Sequence, residues 1–525
     1  MDSRLRGTNV VTASPAFPER AVTLTDASNR TRSLRDRLVS GSLYAFLTVV
    51  ITQSFALATS ILFARLLGAA GLGVLAVYVQ VSSLVMAFVG LGLSVPTAKF
   101  VAELRTRSRE ELGDFVSTVF TITLVSAAMT SVASFALAEF IGLTVYASND
   151  LVLMIRLSSV FLIVNAISYF SGAVLQGLQA IRTLSIISLI VEGLTVPITF
   201  GSLALFGLVG ASVAGVILVA ILACLTYGHA RKILARERVT IRLRFSAREA
   251  KRLALFTAPL VASTLILHFA FLAQTTVVAL GLGYDDAGQF KVASILYRVL
   301  LFIPSAIGIP LLPMASELYA TRTPERTRRN LTTLLRVACF VGVPIATAVG
   351  FAAGPIIVTL YGPEYAVSAQ LAFLLAISGF AEIASAVAVN FILGEGRTKA
   401  LLTSDIIHAV IVVLSTSYFV GTLGLLGLGY AFIVSSTTHA IAVLSVLAFC
   451  GGLDSRKTVP MLLFAALGLA LAALLFFNGA PYDVPWMGAL LILGYGSSAW
   501  VLMGKEDRRA MSGVVTDLVS KLRAG

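Results

Sequence analysis

Charge is what this chain lacks. Asp, Glu, Lys and Arg make up 12% of its 525 residues, about half the share found in soluble globular proteins. With 58% hydrophobic residues and a mean hydropathy of +0.93, an ordinary soluble fold is excluded. The three cysteines (Cys224, Cys339, Cys450) lie in or at the ends of apolar stretches. They show no metal-ligand spacing and give no disulfide framework. The four histidines (His229, His268, His408, His439) are scattered and match no nucleophile or metal pattern. No G-x-x-x-x-G-K-[ST] loop is present to cradle ATP. Neither catalysis nor a cofactor or metal is expected.

What the chain has is apolar length. Fourteen stretches, at about 41–64, 74–99, 115–138, 151–177, 183–206, 209–228, 253–280, 288–316, 333–360, 367–393, 400–421, 425–449, 459–478 and 485–503, are separated by short hinges. About twenty apolar residues cross a hydrocarbon core of about 30 Å. The expected fold class is therefore all-α, a polytopic membrane protein of fourteen transmembrane helices. Basic residues fall in alternate hinges: 30–37, 99–109, 182, 231–252, 322–336, 397–399, 456–457 and 505–523. Of 39 Lys and Arg, all but Arg65, Arg156, Lys291 and Arg298 lie in these segments or the N-terminal tail. Cytoplasmic loops carry this excess, so the reading is a multi-pass protein of the cytoplasmic membrane with both termini in the cytoplasm. The net charge of +13 would suggest nucleic acid in a soluble chain. Here topology and anionic membrane lipids account for it, and no nucleic-acid partner is expected.

Residues 1–38 lack the apolar run of a cleavable signal and read as a disordered basic tail. In 505–525, Met511, Val514, Val515, Leu518, Val519 and Leu522 recur at helical spacing. That pattern fits an amphipathic helix on the membrane surface, or a solvated helical end. Between the tails, the basic stretch 229–252 reads as a cytoplasmic linker joining six-helix lobes at 39–228 and 253–450, with helices thirteen and fourteen appended at 451–504. An internal repeat supports this division. LLGAAGLGVLAVYVQVSSLVMAFVGLGLSVPTAKFVAEL after span one aligns with LGLGYDDAGQFKVASILYRVLLFIPSAIGIPLLPMASEL after span seven. Gly73 then meets Gly288, Pro96 meets Pro310, and Glu103–Leu104 meets Glu317–Leu318. A second echo pairs 177–182 with 394–399. Each half starts on the same side and holds an even number of spans, so the lobes are parallel repeats related by an axis along the membrane normal.

Charges within the spans are costly, roughly 2.5–3.5 kcal/mol for an Arg at a helix centre, and so point to a protein interior or a wet cavity. Arg298 lies near the midplane of span eight, roughly 15 Å from its start at 1.5 Å per residue. Lys291 is two turns away on the same face, and Arg156 lies about one and a half turns below the external end of span four. Together they could form a cationic ladder for an anionic headgroup, because guanidinium binds phosphate oxygens in pairs. Pairing with a buried carboxylate or with helix-end carbonyls is the alternative, and Lys291 has the further option of snorkelling. Glu192, Glu382 and Asp405 are candidates for ion coupling, since burial favours their protonated forms; pairing with Arg fits equally. His268, Gln274 and Asn165 could hydrogen-bond a sugar or a neighbouring helix. Pro304, Pro310 and Pro313 in span eight and Pro96 in span two interrupt helices and are candidates for gating.

The stretch FARLLGAAGLGVLAVYVQVSSLVMAFVGLGLSVPTAKFVAEL (63–104) resembles the entry signature of the polysaccharide-biosynthesis flippases. These belong to the multidrug/oligosaccharidyl-lipid/polysaccharide exporter superfamily. The likeness continues in LYRVLLFIPSAIGIPLLPMASEL (296–318), VLQGLQAIRTLS (174–185) and NFILGEGRTKALL (390–402). It implies a two-lobed carrier that moves a polyprenyl-pyrophosphate-linked oligosaccharide outward by alternating access, with Arg298 at the pyrophosphate. A polysaccharide polymerase and glycosyltransferases would be its working partners. The related lipid II flippases place arginines in the first two spans, whereas Leu84–Phe88 here carries no charge, which disfavours lipid II. The rival carrier, a cation-coupled multidrug and toxin exporter, calls for a carboxylate in span one, and 41–64 has none. A membrane polymerase or ligase needs a large external loop, and the longest expected here is 139–150.

Overall fold

In the computed structural model the described residues are 24–90, 93–298, 300–301, 324–449, 453, 455–477 and 485–502. They are helical almost throughout, with no strand among them. Ten segments are long and apolar enough to cross a membrane, and two of these, Ile51–Val89 and Ile181–Arg236, each run through two expected spans. Span eight lies partly outside the described residues, as do Pro304, Pro310, Pro313, Cys450 and the tail 505–525.

Spans one and two form one bent helix, α1 (Leu24–Gly90), turned at Gly68, whose φ of +67° is open to glycine at little cost. This helix starts inside the segment expected to be a disordered tail, with Asp26 in its first turn, where the helix dipole favours an acidic residue. Helix α2 (Ser94–Arg107) carries Pro96 in its first turn, where a missing backbone donor is tolerated. Pro96 thus begins a helix and does not interrupt one. Next, α3 (Arg109–Glu139) opens on a Ser-x-x-Glu sequence, with Ser108 Oγ accepting from Glu111 N at 3.3 Å and two Glu in the first turn. It runs on into a π-helical turn, Phe140–Val145. The stretch 139–150, expected to be a loop, is therefore largely helical.

The remaining helices of the first half are α4 (Asn149–Gly177), α5 (Ile181–Phe206) and α6 (Gly210–Arg236). The second half holds α7 (Ala247–Gly281), α8 (284–298), α9 (Pro324–Leu360), α10 (Ala366–Gly394), α11 (Thr398–Leu423) and α12 (Leu425–Phe449). Then come α13 (Ser455–Phe477) and α14 (Pro485–Leu502).

One packing scheme recurs. In the first half α1 lies on α5, α3 on α4, and α6 on both α4 and α5; in the second, α7 lies on α11, α9 on α10, and α12 on both α10 and α11. The backbone repeats with it. Both α5 and α11 end at a left-handed glycine, Gly207 (φ +56°) and Gly424 (φ +63°), so each closes a tight helical hairpin. Helices α13 and α14 pack on α9, where Tyr495 Oη donates to the carbonyl of the buried Cys339 at 3.3 Å. Large apolar side chains left outside, such as Met129 and Val132 at 70% and 71% exposure, mark a surface whose solvent is lipid.

The link between the halves is tighter than the expected 229–252. Helix α6 extends to Arg236 and α7 starts at Ala247. The extended piece between them docks on α3: Arg242 N donates to Ser117 Oγ at 3.2 Å, Ser246 N to Thr118 Oγ1 at 3.1 Å, and Arg244 pairs with Asp114 at 2.6 Å.

Candidate functional site

The two halves meet most closely at the end of the bundle away from the basic segments. Tyr284, at the start of α8, donates its hydroxyl to the Tyr146 carbonyl, and Tyr146 Oη shares a hydrogen bond of 2.5 Å with Thr276 of α7. From α1, Arg65 reaches the last carbonyls of α9, donating to Leu360 at 3.1 Å and Thr359 at 3.2 Å. Those carbonyls have no intrahelical partner, and a cation there complements the negative helix end. Ser60 bonds the Tyr361 hydroxyl at 3.2 Å, and Tyr365 Oη donates to the Ala64 carbonyl at 3.4 Å.

The crossing of α1 and α8 sits at the centre of this seam. A Cβ added at Gly73 would overlap the Tyr284 carbonyl oxygen and lie 2.7 Å from its carbon; one at Gly288 would overlap the Ala69 oxygen and lie 2.8 Å from its carbon. Ala69 and Tyr284 each precede their own glycine by four residues, one helical turn. The two glycines that align in the sequence repeat therefore let two backbones touch around a twofold relation. One continuous apolar core, including Leu72, Leu75, Tyr146, Ala287, Phe290 and Tyr361, runs across both halves here.

Deeper in, Phe88 of α1 and Phe269 of α7 meet edge to face at 6.3 Å. Toward the basic end, α7 is the C-terminal helix that holds to the first half, with Arg252 bonding Glu103 at 3.3 Å over the Phe100 ring. Among the described residues, α10, α11 and α12 make no extensive packing with helices α1 to α6.

The residues singled out in the sequence fall into separate groups. Arg298 is exposed and makes no hydrogen bond or ion pair with a described residue, while its neighbour Tyr297 turns inward against Phe432 of α12. Lys291, half-buried, lies close enough to feel the charge of Arg298. Arg156 stands apart, donating to Glu139 at 2.9 Å and lying over the Phe135 ring within its own half. It thus takes the carboxylate-paired option. Gln274 is buried and donates to Thr416 Oγ1 at 3.1 Å, tying α7 to α11. His268 is half-buried. Asn165 donates to Met86 Sδ at 3.3 Å and lines a cavity of about 190 Å³ within the first half, beside Tyr78, Ser158, Ser159 and Ser212. Glu192 is half-buried on α5 with Thr195 as its partner.

Glu382 and Asp405 come together with two residues that sequence reasoning left aside, His408 and His439. Asp405 is 4% exposed and accepts from Ser263 of α7 through Oδ2, with His439 Nε2 3.4 Å from Oδ1. The two imidazoles stack with centroids 4.4 Å apart and planes at 15°. Glu382 on α10 faces His439, Ser436 and Asp405. The sequence signal was a symmetry: His408 and His439 lie at nearly equal distances on either side of Gly424, the hairpin turn.

In fold the protein is similar to several solved transporters. A multidrug resistance MATE family transporter of the MOP superfamily, in an inward-facing conformation, superposes with a TM-score of 0.68 at 15% identity, covering 76% of this chain and 94% of that one. The lipid II flippase MurJ, in an inward closed conformation, gives 0.66 at 13% identity over 88% and 97%. A MOP superfamily transporter from Pyrococcus furiosus gives 0.63 at 14% identity over 79% and 95%. No curated protein matches the chain in sequence. The family profile described as polysaccharide biosynthesis protein matches residues 62–370, which takes in the glycine crossing, Arg298 and most of both halves. On that match, the chain belongs to the polysaccharide biosynthesis protein family.

Proposed function

We propose that this protein is a flippase that carries a polyprenyl-pyrophosphate-linked oligosaccharide across the cytoplasmic membrane for surface polysaccharide assembly. The basic segments face the cytoplasm, so the sealed end is external and the conformation described is inward-facing. The rocking units are 39–228 and 253–450, joined by the docked linker. The observation that carries the reading is Arg298, an exposed guanidinium at half-depth on α8 that no described residue neutralises. A free charge in a membrane span is costly, and a pyrophosphate entering between the lobes would offset that cost with paired charge-assisted hydrogen bonds. Lys291, two turns nearer the external face, gives the headgroup its next contact. His268 serves the sugar; Arg156 and Gln274, already engaged, support the helices that hold the path, and Asn165 belongs to the separate cavity of the first lobe. Of the three carboxylates proposed for ion coupling, Glu382 and Asp405 converge and take that role, while Glu192 stands alone. Pro304, Pro310 and Pro313 would let span eight flex as the lobes exchange. The protein moves its substrate and performs no chemistry on it.

A cation-coupled multidrug exporter is the second reading, favoured by the likeness to the MATE transporter. Against it stands the absence of any carboxylate in 41–64. Thermal unfolding in detergent separates the two. A short-chain polyprenyl pyrophosphate is expected to raise the midpoint of the native protein, the parent polyprenol much less, and neither that of Arg298→Ala. Equal stabilisation of native protein and variant would remove Arg298 from the site.

A further inference from the structure

We infer that His408 and His439, with Asp405, form a binding site for a single proton, built between α7, α11 and α12. The inference rests on the flippase reading only for what the proton drives; the site itself stands on geometry. His408, His439 and Asp405 are all more than nine-tenths buried. Three ring nitrogens, His408 Nδ1 and both nitrogens of His439, are sealed from solvent without a hydrogen-bond partner. Leaving such groups unpaired costs about 1–3 kcal/mol each. The gap between His439 Nε2 and Asp405 Oδ1 is 3.4 Å, longer than a charge-assisted bond of about 2.7–2.9 Å. A proton bound at Nε2 turns that gap into an ion pair, while Asp405 stays held by Ser263.

Stacking limits the uptake to one. Two imidazolium rings with centroids 4.4 Å apart would repel in a site of low dielectric, so His408 stays neutral once His439 is charged. The groups facing the pair are few: Ser263 and the Phe271 ring from α7, Asp405 beside His408 on α11, Ser436 on α12, and Glu382 on α10 with Tyr297 of α8 behind it. Two carboxylates, two imidazoles and the Tyr297 phenol are the titratable neighbours among the described residues, with no Lys or Arg. No group of three or more His, Cys, Asp or Glu there has the arrangement of a metal site, which favours the proton over a metal cation.

The position links the proton to motion. Ser263 and Phe269 are six residues apart on α7, roughly 9 Å, and Phe269 meets Phe88 of the opposite lobe. At its external end the same helix leads to Tyr284 and the glycine crossing. Closing the His439–Asp405 gap therefore pulls on the helix that touches the other lobe at both levels.

The test uses the full protein in nanodiscs with ¹⁵N-labelled histidine, titrated from pH 8.5 to 4.5 by NMR, with and without 150 mM NaCl. The expected result is that His408 and His439 titrate as one coupled unit that takes up one proton, unaffected by sodium. Asp405→Asn is expected to abolish that uptake within the range. His439→Gln, checked for monodispersity, is expected to remove the shared uptake. Independent uptake of two protons, no uptake in the native protein, or displacement by sodium would each overturn the proposal. In proteoliposomes, an imposed pH gradient should drive headgroup movement in native protein but not in Asp405→Asn. If the NMR result holds and the gradient drives nothing, the proton site survives and the link to flipping falls.

Discussion

Substituting Gly73 or Gly288 by alanine adds one methyl group where two backbones touch. At ordinary contact, carbon atoms stand about 3.5–4.0 Å apart. The added Cβ would lie 2.7 Å from the Tyr284 carbonyl carbon at Gly73, and 2.8 Å from that of Ala69 at Gly288. The helices must therefore separate by roughly 1 Å, and backbone cannot swing aside as a side chain can. Overpacking of this kind costs about 1–3 kcal/mol, and it is felt only when the seam between the halves is shut. Because alanine is the better helix former by up to about 1 kcal/mol, overall folding should not suffer. The closed-to-open ratio is expected to fall about 5–150-fold, by similar amounts in the two variants and less than additively in the pair. Spin labels at Asn149 and Asp285 read the face proposed to be external, and labels at Arg236 and Lys399 the face proposed to be cytoplasmic. The expected outcome is a longer external distance with a shorter cytoplasmic one. An unchanged external distribution in both variants would show that the crossing does not govern closure.

Arg65→Ala removes two charge-assisted bonds to the end of α9 and should loosen the same external distance, by less than the glycine variants because the site is exposed. Burial, and then the charge of Asp285, holds the Asp286 carboxyl above the usual aspartate range. Its contribution to stability is thus full below the ordinary aspartate pKa and lost as pH rises through the raised value, so Asp286→Asn should raise the unfolding midpoint at pH 7 and leave it unchanged at pH 3. Gln274→Leu strips the partner from buried Thr416 and should destabilise the C-terminal lobe by about 1–3 kcal/mol, measured by thermal unfolding.

The architecture was legible because two physical signals ran along the whole chain: apolar stretches of membrane length and basic hinges on alternate sides. The repeat was legible too, since glycines at backbone contacts cannot vary freely, and Gly73 and Gly288 proved to be such a pair. Boundaries were less so. The 139–150 hinge and the 229–252 linker are shorter as loops than expected, because π-helical winding and helix extension into the interface carry no hydropathy signal. At the site, Arg298 and the carboxylates stood out as charges in apolar surroundings. Arg156 did as well, yet its partner Glu139 lies on another helix, and pairing across helices leaves no mark in sequence. His408 and His439 were missed for a related reason. Their nearness comes from folding α11 back on α12 around Gly424, not from any local spacing.

Transport itself is tested most directly by leaflet sidedness. Proteoliposomes loaded with a fluorescent polyprenyl-pyrophosphate-linked oligosaccharide report, by quenching with dithionite from outside, how much of the label has crossed. Native protein should move label between leaflets within minutes, Arg298→Ala should slow this at least tenfold, and Arg156→Ala should leave it near native. Equal rates in native protein, Arg298→Ala and protein-free vesicles would contradict the account.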